Sequence, residues 1–371
     1  MKVADIPSPS LPLSLPVDDE HIAIWKSIHR TKHLEYKNLG HKFVWGDTID
    51  LLKKVNGVFM NLETSITTHA VKYPKTFNYR VHPSNVKALV EAGVDTVSLA
   101  NNHVLDYMQE GLQETIHTLE RAGIAHAGAG RNVMEAREPA VINIRNARIA
   151  MFSYSDHPRE FRASETTGGI NWVDLEHADK AYSDIKANIE AHRHAINWDI
   201  LVFSVHWGYN YSWQVPERFQ RLAHKLIDEA GVHIIHGHSA HHIQGIEVYK
   251  GCPIIYGCGD FVDDYAVDAE YRNDYGLLYV AHFSLGDKRC HRLELIPVYI
   301  SDFQVNCATK DSKPWQWIHS TVKTLSREFG TEVKVLTASD VDDGAVGTAQ
   351  QGLLVVPEEC QPSKKAKTQA K

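Results

Sequence analysis

Three stretches with helical periodicity each end on a glycine and lead directly into a short β-branched run. The stretches span residues 83–93, 107–123 and 217–231, and the runs after them read VDTVSLA, IAHAGAG and VHIIHG. Glycine is favoured just past a helix because it readily adopts a positive φ. Further strands are predicted at 147–154, 199–205, 253–256 and 276–283, the last of them without intervening helices. The alternation predicts an α/β fold with a mixed sheet, whose reactive loops leave the carboxyl ends of strands.

The composition is that of an ordinary globular protein, since 43% of the 371 residues are apolar and 23% are charged. The formal net charge of -7 argues against nucleic acid or an anionic membrane as the main partner, because basic surfaces bind those. The five cysteines form no CxxC pair, which indicates free thiols in a reducing compartment. No apolar run approaches the roughly 18 residues of a transmembrane helix, and the N-terminus does not resemble a signal peptide. We therefore expect a cytoplasmic protein without a transmembrane segment.

The two ends of the chain differ from the middle. Residues 1–20 are rich in Pro and Ser, and residues 339–371 lose the apolar periodicity. Segments that cannot bury apolar side chains do not offset the entropy of ordering. We expect both ends to be poorly ordered and to flank a single domain at 21–338.

Five histidines lie close together in VHIIHGHSAHH at 232–242, directly after an apolar run. A strand that ends in a glycine and a loop with two imidazoles three residues apart commonly present nitrogen ligands to a divalent metal. We predict that His238 and His241 are ligands and that His236 and His242 are structural or supporting. Replacing His238 and His241 together by Ala should then abolish metal uptake with little loss of folded protein. A solvated, histidine-rich surface loop is the alternative.

Similar donors follow other predicted strands. Glu63 ends GVFMNLE, Asn101 and Asn102 precede His103 after VSLA, and His206 ends ILVFSV. A carboxylate, an amide oxygen and an imidazole can share one cation, so Glu63, Asn102 and His206 are candidate ligands.

A neighbouring imidazole without a metal can protonate a leaving group, which is the role we predict for His103. Asp106, three residues further on, could accept the ring proton of His103. Asp106 could equally have only a structural role, in which its negative charge stabilises the first turn of the following helix. Without the other segments, Glu63 could be a capping or surface residue and His206 a buried structural one.

Two arginines near predicted strand ends are candidates for substrate binding. Arg80 in NYRVHP and Arg131 in GAGR could each hold a phosphate or carboxylate group through a bidentate contact, or could be plain ion-pair residues. The aromatic run from Trp207 to Trp213 could line a cleft or form a structural cluster. The glycines at 128 and 130 are too weak a pattern for a phosphate loop, and no serine or cysteine lies in a nucleophile elbow.

Taken together and in order, these segments resemble the CapA family of poly-γ-glutamate capsule biosynthesis proteins, in the calcineurin-like metallophosphoesterase superfamily. The resemblance rests on segments within residues 43–297: WGDTIDLLKKVNGVFMNLETSIT, NYRVHPSNV, SLANNHVLDY, AGAGRN, SVHWGYN, HGHSAHHIQGIEVY and YGCGDFVDDY. It implies a sandwich of two mixed β-sheets flanked by helices, with a metal centre at one sheet edge. The roles it implies are Glu63 as bridging acid, His103 as general acid, and four further ligands: Asn102, His206, His238 and His241.

One departure concerns the first metal. Members of the family normally begin with a strand that ends in a GDVM-like segment whose aspartate binds that metal, and no segment before Phe43 supplies it. Asp47 has a similar local composition but lies only sixteen residues before Glu63, so we do not assign it as a ligand. We therefore expect a fold that lacks the usual first strand, either because the chain is truncated or because its centre holds one metal.

The resemblance implies a metal-dependent hydrolase of the phosphoesterase type, linked to the metabolism of poly-γ-glutamate or a similar capsule polymer. Its cofactor would be one or two divalent ions of Mn, Fe or Zn, and its substrate a small molecule or an anionic polymer. The alternative is a non-catalytic binding or assembly protein that holds an anionic polymer through Arg80 and Arg131. A purely structural metal is a third possibility.

Overall fold

The computed structural model of the chain describes residues 40–263, 265–342, 344–348 and 351–356. The expected N-terminal segment at 1–20, and the start of the predicted domain at 21, lie outside these residues. The α-helices span Ile49–Leu52, Val86–Glu91, Met108–Ala122, Val133–Arg137, Ala178–Arg193, Glu217–Ala230, Lys313–Arg327 and Ala338–Asp342. Short 3-10 helices span Phe43–Thr48, Pro83–Asn85, Arg159–Phe161 and Leu175–His177.

Two of the predicted helices end at the glycines that the sequence indicated as their C-terminal caps. Met108–Ala122 ends at Gly123 with a φ of 73°, and Glu217–Ala230 ends at Gly231 with a φ of 69°. Both glycines adopt the left-handed conformation that other residues avoid, so each supplies the C-terminal cap that the sequence predicts. The predicted helix at 83–93 divides into a 3-10 turn and Val86–Glu91.

In the described residues, the strands fall into five sheets. The strands are β1 (Phe59–Asn61), β2 (Ser65–Ile66), β3 (Arg80–Val81), β4 (Thr96–Ser98), β5 (Ala125–Ala127), β6 (Ala129–Gly130), β7 (Ala140–Ile144), β8 (Ala147–Ser155), β9 (Gly169–Ile170), β10 (Ile200–His206), β11 (Ile234–His238), β12 (Ile246–Tyr249), β13 (Cys252–Ile255), β14 (Tyr275–Phe283), β15 (Cys290–Ser301), β16 (Gln304–Cys307), β17 (Glu332–Val335) and β18 (Leu353–Val356).

The largest sheet has six strands in the order β12-β13-β11-β10-β8-β7. Its four middle strands are parallel, and β12 and β7 add to the edges in the antiparallel sense. The predicted mixed sheet is therefore confirmed. All seven residues of β10 are buried, as expected for a parallel strand covered on both faces. Its Leu201 and Phe203 share a core with residues of the helices Ala178–Arg193 and Glu217–Ala230.

A second, three-stranded parallel sheet has the order β1-β4-β5. The carboxyl ends of β1 and β4 lead into the segments that contain Glu63 and His103. Ser98 of β4 and Ser153 of β8 form a hydrogen bond of 2.7 Å, which ties this sheet to the six-stranded one. Candidate metal ligands that follow strands of the two sheets can therefore lie close to each other.

The remaining large sheet is antiparallel, with the order β14-β15-β18-β17 and with β16 also paired to β15. The expectation that residues 339–371 form a poorly ordered tail is wrong for β18, because β18 lies between β15 and β17 in this sheet. Leu353 and Val355 are buried there. This strand could not be predicted, because four apolar residues in a polar stretch show no periodicity and the β15 partner is distant along the chain.

The architecture is a mixed α/β fold with several sheets. The five sheets of the described residues are more numerous than the two sheets of the sandwich that the resemblance implies. Across the part of the chain that the structure describes, no helix combines the length and the apolar character needed to cross a bilayer. Four cysteines in this part, Cys252, Cys258, Cys290 and Cys307, are free thiols.

Candidate metal centre

His206 and His238 are the last residues of two adjacent parallel strands and lie directly opposite each other in the register of β10 and β11. Their Nδ1 atoms are 2.9 Å apart, and both side chains are buried. Ser204, two residues before His206, contacts Nε2 of His238 at 3.1 Å. The two neighbouring strands end at the same level, so their last residues place two imidazoles in contact.

Burial disfavours the charged form of the histidines of β11. The pKa of His238 is held well below its ordinary value, first by loss of solvation and then by repulsion from the neighbouring His206 and His236. Burial also lowers the pKa of His236, to about 4. A neutral imidazole has a lone pair to offer a metal, so the protonation state of His238 suits ligation.

Glu63 joins the histidine pair through its carboxylate. Its Oε2 lies 4.0 Å from Nδ1 of His206 and accepts a hydrogen bond of 2.9 Å from Asn61. The Glu63 side chain is buried. The structure therefore brings three of the predicted residues, Glu63, His206 and His238, to one place.

A hydrogen-bonded chain leads from Glu63 to His103. Asn61 accepts from the side-chain amide of Asn101 at 3.1 Å, and Oδ1 of Asn101 accepts from the backbone N–H of His103 at 3.0 Å. Asn101 also donates to the carbonyl of Leu62 at 2.9 Å. Both ends of the Asn101 side-chain amide are therefore used in hydrogen bonds that hold the loop after β4. The neighbouring Asn102 remains the candidate ligand.

Asn102 presents an amide oxygen that is available to a cation. Its Oδ1 is buried and has no hydrogen-bond partner among the described residues. A buried amide oxygen without a partner costs free energy, which a bound cation would recover. This unpartnered oxygen is thus consistent in kind with the predicted role of Asn102.

His103 and Asp106 contact each other as predicted, with Nδ1 of His103 2.7 Å from Oδ2 of Asp106. Lys75 adds a charge that we did not predict: its Nζ lies 2.5 Å from Oδ1 of Asp106 and 3.2 Å from Nδ1 of His103. Burial raises the pKa of Asp106 to about 7, although Lys75 and the backbone N–H of Tyr79 oppose the increase. Asp106 therefore changes its charge close to neutral pH.

His241 lies in a loop with unusual backbone geometry. Ser239 has a φ of 112° and His241 a φ of 63°, which is the left-handed region for both. Non-glycine residues are held there only when their surroundings require it, and such residues cluster at functional sites. Nδ1 of His241 is 3.2 Å from Oδ1 of Asp260, and its ring packs edge-on to Tyr265 with centroids 5.4 Å apart.

Three residues near the centre were not predicted from the sequence. Asp156 and His157 follow β8, and the ring of His157 lies 4.8 Å from that of His206. Asp260 follows β13. The strand-end rule that identified His206 applies to all three, so the signal was present in YSDHP and YGCGDF. Lys75 follows no strand, and no sequence pattern singles it out.

The donors agree in kind with a divalent cation, since imidazole, carboxylate and amide groups are its usual protein ligands. In the described ranges, however, no three His, Cys, Asp or Glu side chains lie together as a group that could hold a metal. The donors thus match a cation in type, and the imidazoles of His206 and His238 are adjacent.

The two predicted substrate arginines have partners elsewhere. Arg131 pairs with Glu120 at 3.0 Å and with Glu135 at 3.4 Å, both on the protein surface. Arg80 donates to the carbonyl of His69 at 2.8 Å, and its guanidinium lies 4.7 Å from the ring centroid of Tyr107. These contacts fit ion-pair and structural roles, the alternative for both arginines.

Other segments from the sequence have structural contacts. Trp207 is buried and stacks on Phe219, while Tyr209 is 79% exposed. His242 packs against Trp213 with ring centroids 4.5 Å apart, and burial lowers its pKa to about 4. Asp47 accepts a hydrogen bond of 2.7 Å from the backbone of Cys307, so it anchors β16.

The sequence matches known proteins over most of its length. The family described as bacterial capsule synthesis protein PGA_cap matches residues 21–265. A probable polyglutamine synthesis accessory protein of Mycobacterium tuberculosis (strain CDC 1551 / Oshkosh) is 32% identical over 311 residues, which cover 81% of this chain and 80% of that protein. The capsule biosynthesis protein CapA of Bacillus anthracis is 30% identical over 61% of this chain and 54% of its own length. The PGA biosynthesis protein CapA of Bacillus subtilis (strain 168) is 31% identical over 51% of this chain and 48% of its own length.

Proposed function

This chain belongs to the bacterial capsule synthesis protein family PGA_cap, and from that premise we propose that it is a metal-dependent hydrolase of the phosphoesterase type. We further propose that it acts in the metabolism of a capsule polymer such as poly-γ-glutamate, as the names of its relatives suggest. The observation that carries the proposal is the pair of adjacent, buried imidazoles of His206 and His238 beside the Glu63 carboxylate.

The residues that would hold a divalent cation are Glu63, Asn102, His206, His238 and His241. A cation bound by them would supply Lewis acidity, which activates water and offsets negative charge on the substrate. The metallophosphoesterase arrangement of two sheets, implied by the resemblance, belongs to the same proposal.

His103 is proposed to deliver the proton to the leaving group. Asp106 engages Nδ1 of its ring, so Nε2 is the nitrogen that would carry this proton. An ionised Asp106 fixes the ring orientation and stabilises the imidazolium, in the way that a buried carboxylate orients a catalytic histidine. Lys75 favours the ionised form of Asp106 through its ion pair.

Asn101 and Asn61 are proposed to position the two halves of the site. Their amides join the loop of His103 to the carboxylate of Glu63 by consecutive hydrogen bonds. Because proton transfer depends on distance, holding the acid at a fixed distance from the ligands is a condition for catalysis.

The test measures metal content and turnover in the same preparations. We expect the purified wild-type chain to carry divalent metal by elemental mass spectrometry and to hydrolyse bis(4-nitrophenyl) phosphate with Mn²⁺. His206→Ala combined with His238→Ala should remove both properties while the circular dichroism spectrum is retained. His319→Ala, a histidine outside the centre that packs on Trp315, is the matched control and should change neither. Full metal retention in the double variant would refute the proposed ligand set.

One observation favours the alternative, a non-catalytic protein that holds an anionic polymer on a degenerate site. Among the described residues no three possible His, Cys, Asp or Glu ligands are grouped tightly enough to hold a metal. Wild-type protein that contains no metal and shows no turnover with added Mn²⁺ would support this alternative and reject the hydrolase.

A further inference from the structure

A cavity of about 350 Å³ lies on the side of the protein formed by the segments after β8 and β9. Four cationic side chains line it: Arg137, Arg159, Arg162 and Lys180. They come from three separate parts of the chain, namely the end of Val133–Arg137, the turn Arg159–Phe161 with the residue after it, and the first turn of Ala178–Arg193.

None of these four cations has a carboxylate within ion-pair distance in the part of the chain that the structure describes. Other cations of the protein, such as Arg131, Arg218 and Lys225, do have such partners. Two carboxylates, Asp174 and Asp184, also line the cavity, and Asp174 is already engaged by His177 at 2.9 Å. The lining therefore has two positive charges in excess.

Trp172 contacts two of the cations. The guanidinium carbons of Arg159 and Arg162 each lie 5.6 Å from the centroid of its ring. The ring attracts each cation, but two like charges at the same ring repel each other. Both arginines line the cavity, so an anion bound there would offset this repulsion, and the planar fork of arginine matches the geometry of carboxylate and phosphate.

Trp172 is itself held in place. Its Nε1 donates a hydrogen bond of 2.9 Å to the carbonyl of Asp156, which precedes His157. The platform for the two arginines therefore has a fixed position, so a ligand would meet a largely preformed site.

We propose that this cavity is a second binding site, separate from the histidine centre, for a ligand with two negative charges on oxyanion groups, either phosphate or paired carboxylates. The volume is at the lower end of ligand-binding cavities, which are roughly 300–1,000 Å³, so the site takes one such group or a short segment of a longer anion. The proposal does not depend on hydrolase activity, because it uses no residue of the metal centre.

The test is isothermal titration of the full chain with two probes, inorganic phosphate and a γ-linked glutamate pentamer. We expect at least one probe to bind, and the preferred probe identifies whether phosphate or carboxylate is the natural group. Arg159→Ala with Arg162→Ala should weaken that binding at least about tenfold, since charge-assisted bonds to arginine are among the stronger ones. Lys323→Ala with Arg327→Ala removes the same charge from an exposed helix and should leave binding within about twofold of wild type.

Two further variants complete the test. His206→Ala with His238→Ala should keep the affinity, which separates this site from the metal centre. If the alanine variant does not fold, Arg159→Lys with Arg162→Lys keeps the charge but loses the bidentate fork, and should bind severalfold more weakly than wild type. No binding of either probe to the wild type, or equal affinity in the wild type and the arginine variants, would overturn the proposal.

Discussion

The Nδ1 atoms of His206 and His238 face each other across 2.9 Å at the ends of two parallel strands. Either histidine alone would be a single imidazole, which is a weak ligand set. The register of β10 against β11 makes the two histidines a pair, and the three-stranded sheet adds the Glu63 carboxylate at 4.0 Å from His206. The chemistry of the centre therefore depends on how two sheets meet.

Replacing His103 should slow turnover without removing metal. In His103→Gln the ring that carries the proton is lost, and general acid catalysis typically contributes about 10²–10⁴-fold to the rate. We expect kcat for an aryl phosphodiester to fall within this range and the metal content to equal that of wild type. His117→Gln, an exposed histidine in Met108–Ala122, is the control. A kcat within about twofold of wild type would assign His103 a structural role.

Lys75 should control the pH at which the site is active. It lowers the pKa of Asp106 against the larger effect of burial, so in Lys75→Met that pKa should rise above its wild-type value of about 7. Since an ionised Asp106 is needed to hold the His103 ring, the acid limb of the pH profile of kcat should move to higher pH. Lys87→Met, an exposed residue of Val86–Glu91, should leave the profile in place. An unshifted limb in Lys75→Met would contradict the role of Lys75.

Asp106 should make the folded state less stable as the pH rises. Its pKa is about 7 in the folded chain against an ordinary value of 3.8, so between these values the native state binds more protons than the unfolded state. The free energy of unfolding then falls as the pH increases. With about 1.4 kcal/mol for each pH unit of difference, the total loss is on the order of 4 kcal/mol.

Asp106→Asn should remove this dependence, because the amide does not titrate. Urea unfolding of wild type and variant at pH 5 and pH 8 measures the difference, with the exposed Asp50→Asn as the control. An equal loss of stability between these two pH values in wild type and in Asp106→Asn would show that the buried carboxyl does not titrate in this range.

Gly128 should be required for packing near the site. It has a φ of +91°, and a Cβ there would lie 2.6 Å from both Cβ of Ala100 and Oγ of Ser153. Gly128→Ala should lower the free energy of unfolding by about 2 kcal/mol or more, through the combined costs of left-handed backbone and overpacking. Gly93→Ala is the matched control, since Gly93 has a φ of +70° but open space around it, and should cost only about 1–2 kcal/mol. Equal losses in thermal or urea unfolding would exclude the steric contribution.

The sequence predicted the individual donors because strand ends are local features. His206, His238 and Glu63 each follow an apolar run, and a run of that kind can be read within ten residues of sequence. The same rule would have found His157 and Asp260. Lys75 could not be found in this way, because it reaches His103 and Asp106 from a loop 28 and 31 residues earlier, and such contacts leave no periodic pattern.

What the sequence alone determined is therefore the α/β class, the helix ends at Gly123 and Gly231, and the candidate donor residues. Only the tertiary structure decided that His206 faces His238, that Arg131 pairs with surface carboxylates, and that Arg159 and Arg162 converge on Trp172. The physical reason is the range of the interactions. Backbone preferences and burial patterns are set by neighbours along the chain, whereas distances between charges and ligands depend on how separate sheets and loops pack.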